Sequence, residues 1–155
     1  MTLTQAPPSR ATEAVATDLQ ATLVELIDLS LQGKQAHWNV TGPNFRSVHL
    51  ELDEIVDSAR LASDRVAERI VTIGQIPDGR AEAISSTSAM PSFPAGTVGT
   101  TQVVEVISAR IDELAERLRE RIQRLGELDP VSQGILVDVD EELEKQAWML
   151  RAQLA

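Results

Sequence analysis

Cysteine and tyrosine are both missing from this 155-residue sequence, and lysine occurs only at Lys34 and Lys145. Without cysteine there can be no disulfide, no thiolate metal site and no thiol nucleophile. Two Phe and two Trp make up the whole aromatic complement, too few for a platform on which nucleobases stack. No apolar run approaches the ~18–20 residues of a membrane span. The N-terminal stretch holds no basic segment leading into an apolar core, so no secretory signal is read there. Length and composition lead to the expectation of one soluble, cytoplasmic domain.

Positive charge is the other scarcity. Fourteen Lys+Arg stand against 24 Asp+Glu, a formal net charge of −10. Such a chain is poorly suited to sequence-independent nucleic-acid binding, which rests on neutralising phosphates. Surplus carboxylate suits solubility or the attraction of cations. What is abundant is globular material: 43% hydrophobic and 25% charged residues lie outside the disordered range.

Residues 1–10 are small and polar around Pro7-Pro8 and read as a flexible N-terminal arm ahead of a domain spanning 11–155. Four long helices are expected after it. The first runs from residue 12 to about 39, stopped by Thr41-Gly42-Pro43, and the second from about 44 to 73, with Gly74 as its cap. The third covers about 101–126 after the N-cap signal Gly99-Thr100-Thr101. The fourth begins near Asp129-Pro130 and runs almost to the last residue. Residues 74–99 turn to Gly, Pro, Ser and Thr, with a short helix expected at 80–86. Joins that are short, long and short describe an all-α four-helix bundle with one long crossover, in which the second and third helices run parallel. No strand alternation and no internal repeat is present.

The chemistry gathers on the first two helices. The only histidines are His37, near the end of the first, and His49, near the start of the second. Asp53, Asp64 and Glu68 follow His49. His49 with Asp53, and Asp64 with Glu68, are i,i+4 neighbours. At ~100° per residue, Val48, Leu52, Ile55, Ala59, Ala62, Val66, Ile70 and Ile73 fall within an arc of about 80°, the core stripe. The four ligand-type residues lie outside that arc and are expected to face away from the core. About 16 Å of helix rise separates Asp53 from Asp64, so one chain cannot bring both pairs to one metal. Two copies of the helix running antiparallel about a two-fold axis can, with two sites per dimer.

Two imidazoles and three carboxylates suit Fe(II), Mn(II) or Zn(II). Iron is favoured where redox work is done, because zinc is redox-inert. The in-bundle di-iron pattern Glu-x-x-His is absent, since Lys34 and Arg46 stand three residues before the histidines. Two plainer readings stay open on spacing alone. His49 with Asp53 is also what a surface pair of little energetic weight looks like, and His37 is also what a buried, hydrogen-bonded structural histidine looks like.

Lys34-Gln-Ala-His-Trp-Asn-Val40, then Gly42-x-x-Phe45, His49-x-x-x-Asp53 and Asp64-x-x-Ala67-Glu68-Arg69, together with the helix lengths and the late Trp148, resemble the Dps-type mini-ferritins (DNA-binding proteins from starved cells) of the ferritin-like superfamily. The resemblance implies a ferritin-like four-helix bundle with no fifth helix after it, assembled as a hollow twelve-subunit shell. It implies an intersubunit ferroxidase centre with two iron positions, His37, His49 and Asp53 coming from one subunit and Asp64 and Glu68 from its two-fold partner. There Fe(II) is oxidised by hydrogen peroxide or dioxygen, and Fe(III) mineral is deposited inside the shell; Zn or Mn can substitute for iron. By the same resemblance Trp38, beside a ligand, serves as a sink for stray oxidising equivalents or as interface packing. Asp129 and Asp138 are candidates for a cation pore, with helix capping as the other reading of Asp129. Gly134 stands where some relatives carry an acid. The acidic run over residues 138–144 is a solvated face or, in a shell, a cavity lining.

DNA binding does not transfer with the family name. The first eleven residues carry one basic side chain, Arg10, and the last seven carry one, Arg151. Twelve copies at −10 each total −120, which repels phosphate. Arg110, Arg117, Arg121 and Arg124 share a helix face, but Glu113 and Glu120 stand i,i+4 from Arg117 and Arg124 and are expected to pair with them. DNA binding is therefore expected to be weak or absent. A nucleoid-associated DNA-compacting shell with little iron storage is the first rival reading, and a helical oligomer with a vestigial metal site the second.

Overall fold

In the computed structural model, which describes residues 9–154, the Gly and Pro positions cut the chain into helices close to where they are expected. Residues 1–8, the bulk of the expected arm, lie outside the described residues. Helix α1 (Arg10–Asn39) is capped by Ser9, whose hydroxyl accepts from the Thr12 N–H at 3.2 Å. The last two residues assigned to the arm are thus cap and first turn. After α1 come β1 (Val40–Thr41), α2 (Phe45–Thr72), α3 (Ala81–Thr87), β2 (Val98–Gly99), α4 (Thr100–Leu128) and α5 (Pro130–Ala152).

The helices number five among the described residues, against the expectation of no fifth. The additional one in the count is α3, the short crossover helix that the sequence also anticipates, and it lies in the long join. The fold is otherwise the all-α four-helix bundle that loop lengths predict. Two details depart from expectation. A two-residue parallel bridge pairs Val40 with Val98 and Thr41 with Gly99, tying the end of α1 to the start of α4 with too few residues to show alternation. Helix α4 also runs through Gly126 to Leu128. A Cβ at Gly126 would lie 2.7 Å from the Gln133 amide nitrogen, which donates to the Ile122 carbonyl. The glycine makes room for that packing and does not end the helix.

The core stripe of α2 is buried as its phase requires, with Ala62 and Ile73 at its half-buried edge. Val56 is buried as well, because α1 comes close there: a Cβ on Gly33 would meet Val56 Cγ2 at 2.7 Å. Leu19, Leu26, Leu52, Ile55, Ile107, Leu114 and Leu118 have no exposed surface, and each such side chain contributes roughly 1.5–3 kcal/mol by leaving water.

Polar seams fix how the helices are matched. Glu25, inside the apolar run of α1, is buried and held by Arg121 at 2.5 Å and by Arg117. Arg124 pairs with Asp18 at 2.7 Å. The within-helix partners expected for Arg117 and Arg124 are thereby corrected: both arginines reach across to α1, Arg117 to the buried Glu25 and Arg124 to Asp18, and Glu113 takes Arg110 instead. The crossover is strapped to α1 by Gln20, whose side chain donates to the Asp78 carbonyl at 2.8 Å and accepts from its N–H at 2.9 Å. No helix among the described residues is long and apolar enough to cross a membrane.

Candidate metal centre

The turn Thr41–Asn44 brings the end of α1 against the start of α2, and with it the two histidines. Asn44, at φ 60°, adopts the left-handed conformation that its short polar side chain tolerates, and this aims the first turn of α2 back along α1. His37 Nδ1 lies 2.8 Å from the His49 carbonyl oxygen, and His49 Nδ1 lies 2.9 Å from the His37 carbonyl oxygen. A carbonyl only accepts, so each Nδ1 carries a hydrogen, and Nε2 is the nitrogen of each ring with the lone pair in the neutral tautomer. The rings stack with centroids 3.6 Å apart, and Phe45 stacks on the other side of His49 at 5.0 Å.

Asp53 stands one turn after His49. Its Oδ1 is 3.3 Å from His37 Nδ1 and is ion-paired with Lys34. The Lys34 hydrogen bond holds the Asp53 carboxyl below the usual carboxylate range against a desolvation penalty, with both histidines adding to the depression. Asp53 is therefore an anion at neutral pH. His37, His49 and Asp53 are thus neighbours at one end of the outward face of α2, with Asp53 already paired with Lys34.

Asp64 and Glu68 are placed otherwise. Both are exposed, roughly 16 Å or more further along the same helix by its rise. Among the described residues no three His, Asp or Glu side chains of one chain gather into a metal-holding group. The structure brings together His37, His49 and Asp53, and leaves Asp64 and Glu68 apart from them. Lys34 and Phe45 are the members of this site that residue-type reasoning passed over. Both stand in the motif that carries the family resemblance, Lys34 three residues before His37 and Phe45 four before His49, with no site role assigned to them there.

The remaining candidates also have definite settings. Trp38 is 71% exposed and lies on the rim of a groove of about 560 Å³ with Leu31, Gln35, Met90 and Phe93. Asp129 caps α5 by accepting from the Val131 N–H at 3.2 Å, and is bound by Arg69 at 2.7 Å and by the Ser132 hydroxyl at 2.6 Å. Burial raises its pKa, but these bonds outweigh it and hold the carboxyl below its usual range. Asp138 is largely exposed and pairs with Arg65 at 2.9 Å. Glu142 accepts from Ser58 at 3.1 Å, stitching α5 to α2.

Comparison with known proteins agrees with this architecture. The ferritin-like domain family matches residues 16–155. The chain is similar to DNA protection during starvation protein 2 of Deinococcus radiodurans, with 34% identity over 148 residues, covering 94% of this chain and 61% of that one. It therefore spans about six tenths of that relative's length. Among solved structures it is similar to the Mycobacterium smegmatis Dps, with a TM-score of 0.91 and 35% identity over 99% of this chain and 94% of that one. It is similar also to the Microbacterium arborescens Dps in a high iron form, with a TM-score of 0.89 and 32% identity over 96% and 99% of the two chains. An all-α bundle with a strapped crossover, a stacked histidine pair at the α1–α2 turn and matches of this breadth identify the chain as a member of the ferritin-like family, of the Dps-type mini-ferritins.

Proposed function

We propose that this protein stores and detoxifies iron, oxidising Fe(II) with hydrogen peroxide or dioxygen at sites shared between subunits and depositing Fe(III) as mineral within a hollow twelve-subunit shell. The observation that carries the reading is the divided ligand set. His37, His49 and Asp53 are neighbours at one end of the outward face of α2, Asp64 and Glu68 stand at the other, and among the described residues no three such side chains of one chain gather into a metal-holding group. An antiparallel partner sets Asp64 and Glu68 opposite His49 and Asp53. The donor types fit Fe(II), with Zn or Mn as substitutes. The Microbacterium relative, described in a high iron form, supports iron as the cargo.

In this reading iron is the substrate. The Nε2 atoms of His37 and His49 and the Asp53 carboxylate hold it from one subunit, and Glu68 and Asp64 hold it from the partner. Each Fe(II) gives up one electron. One peroxide takes two electrons and two protons and leaves as two waters, so a pair of irons consumes it without releasing hydroxyl radical. The carboxylates offset the charge gained on oxidation. Trp38, exposed beside His37, is placed for contact with a partner or for taking up oxidising equivalents. Asp129 is engaged by Arg69 and the start of α5, which supports its capping role and leaves Asp138 as the freer carboxylate for a cation path.

The rival reading, a DNA-compacting shell with little iron storage, has less support. Arg110, Arg117, Arg121 and Arg124 are all occupied by carboxylates, and the net charge is −10. We propose weak or absent DNA binding and a cytoplasmic location. The test is iron retention: anaerobic protein is loaded with Fe(II) beyond two per subunit, peroxide is added in steps, and size exclusion is run with iron analysis. Iron eluting with a large shell supports storage. An intact shell with little iron, retarding plasmid in a gel at physiological salt, overturns it.

A further inference from the structure

We infer that Asp57 and Arg60 form reciprocal ion pairs with a second copy of this chain across the two-fold axis of the antiparallel α2 dimer, setting the register in which the two half-sites meet. This rests on the shared-site reading above and deepens it.

The outward face of α2 is defined by phase and exposure. At ~100° per residue, Arg46, His49, Asp53, Asp57, Arg60, Asp64 and Glu68 lie within an arc of about 100°, and none of them is buried. Opposing His49 to Glu68 and Asp53 to Asp64 puts the two-fold axis between Ser58 and Ala59. Four residues inward from each end of the Asp53/Asp64 pair stand Asp57 and Arg60. Each therefore faces the other residue type on the second copy, twice by symmetry.

The charge state of these two residues within the chain agrees. Among the described residues the side chains of Asp57 and Arg60 make no ion pair or hydrogen bond. Arg65 and Arg69, on the same helix, are both engaged by α5. The face carries four carboxylates, Asp53, Asp57, Asp64 and Glu68, so two bare copies repel unless cations are interleaved. Arg60 is the one cation near the middle of the face. Opposing Asp53 to Asp64 already sets one carboxylate pair together on each side of the axis; sliding one copy by a turn, so that Asp57 meets Asp64 and Asp53 meets Glu68, doubles those pairs and loses both Asp57–Arg60 pairs. The pair thus disfavours that wrong register as well as stabilising the right one.

Single reversals and their mixture test this in the full chain. In Asp57→Arg the axis gathers four guanidinium groups, and in Arg60→Asp it gathers four carboxylates. Each variant alone should keep its helix content by circular dichroism and lose at least about tenfold of its assembled species by light scattering, since like charges set opposite each other are strongly unfavourable. Co-expressing the Asp57→Arg chain with the Arg60→Asp chain should restore the wild-type mass, because only the mixed dimer opposes arginine to aspartate at both positions. An ion pair within one helix cannot produce that rescue. Single variants that assemble normally, or a mixture that stays dissociated, overturn the proposal. Assembly that follows the charge pairing in a protein with no iron oxidation would leave this pair standing and overturn the ferroxidase reading alone.

Discussion

His37 and Glu68, assigned here to one metal centre, are treated in opposite ways by the fold. His37 is buried, and its ring is fixed by a backbone carbonyl and by the face of His49. Glu68 stands on an open helix surface, and among the described residues its carboxylate makes no hydrogen bond or ion pair, while the Thr72 hydroxyl donates to its backbone carbonyl. The histidine pair gets its geometry from the α1–α2 turn within one chain. The carboxylate half has no support of its own and takes its geometry from whatever packs against it. In the proposed shared site, firm metal binding therefore requires assembly, which ties iron oxidation to the oligomer.

The comparison can be broken most directly at the exposed half. Asp64→Ala with Glu68→Ala should slow peroxide-driven iron oxidation by at least about tenfold, the low end for disturbing a metal site. Folding stability should stay within about 0.5 kcal/mol, as for other exposed positions; stopped-flow absorbance and urea unfolding read the two effects. His37→Ala should do the reverse in emphasis, costing about 1–3 kcal/mol of stability through a lost buried hydrogen bond, as well as activity. Equal stability losses at the two halves would end the distinction.

Smaller effects sharpen it. Phe45→Ala removes the ring stacked on His49 and should cost about 0.5–1.5 kcal/mol, with added mobility of the His49 ring by NMR. Smallest is the pH response of metal-free protein. Asp53 is depressed by Lys34 in the fold, so its contribution to stability is present above the unfolded carboxylate pKa and is lost as pH falls through the folded one. Lys34→Met should move the Asp53 titration upward, towards the usual carboxylate range, by carboxyl NMR. An unchanged titration would show that Lys34 does not hold Asp53.

How much of this was legible in the residues depends on the range of each interaction. Thr41-Gly42-Pro43 and Gly74 announced helix ends because turn preferences are local, and the α2 core stripe could be phased because helical periodicity is local. Gly126, where the third helix is expected to finish, lies inside α4 for the complementary reason: it admits the Gln133 side chain, a neighbour that no local pattern reveals. Glu25 stands in an apolar run, and its partners Arg117 and Arg121 come from α4, which no local pattern reveals. The β1–β2 bridge joins segments 58 residues apart in register and is too short for alternation. At the candidate site, the residue types and their spacing on α2 were legible. The Nδ1–carbonyl exchange, the Lys34 bond and the Phe45 stack were not, since each depends on the angle at which α2 leaves α1.

By itself, then, the sequence determined the helices, the long crossover, and the outward face of α2 on which His49 and Asp53 lie too far from Asp64 and Glu68 to meet them in one chain, because periodicity and helix rise follow from the backbone alone. The tertiary structure alone decided which imidazole nitrogens are free, which carboxylate is already paired, and which arginines reach across to other helices. Those depend on distances of a few ångströms between side chains brought together only by packing, where a hydrogen bond or ion pair is either made or absent.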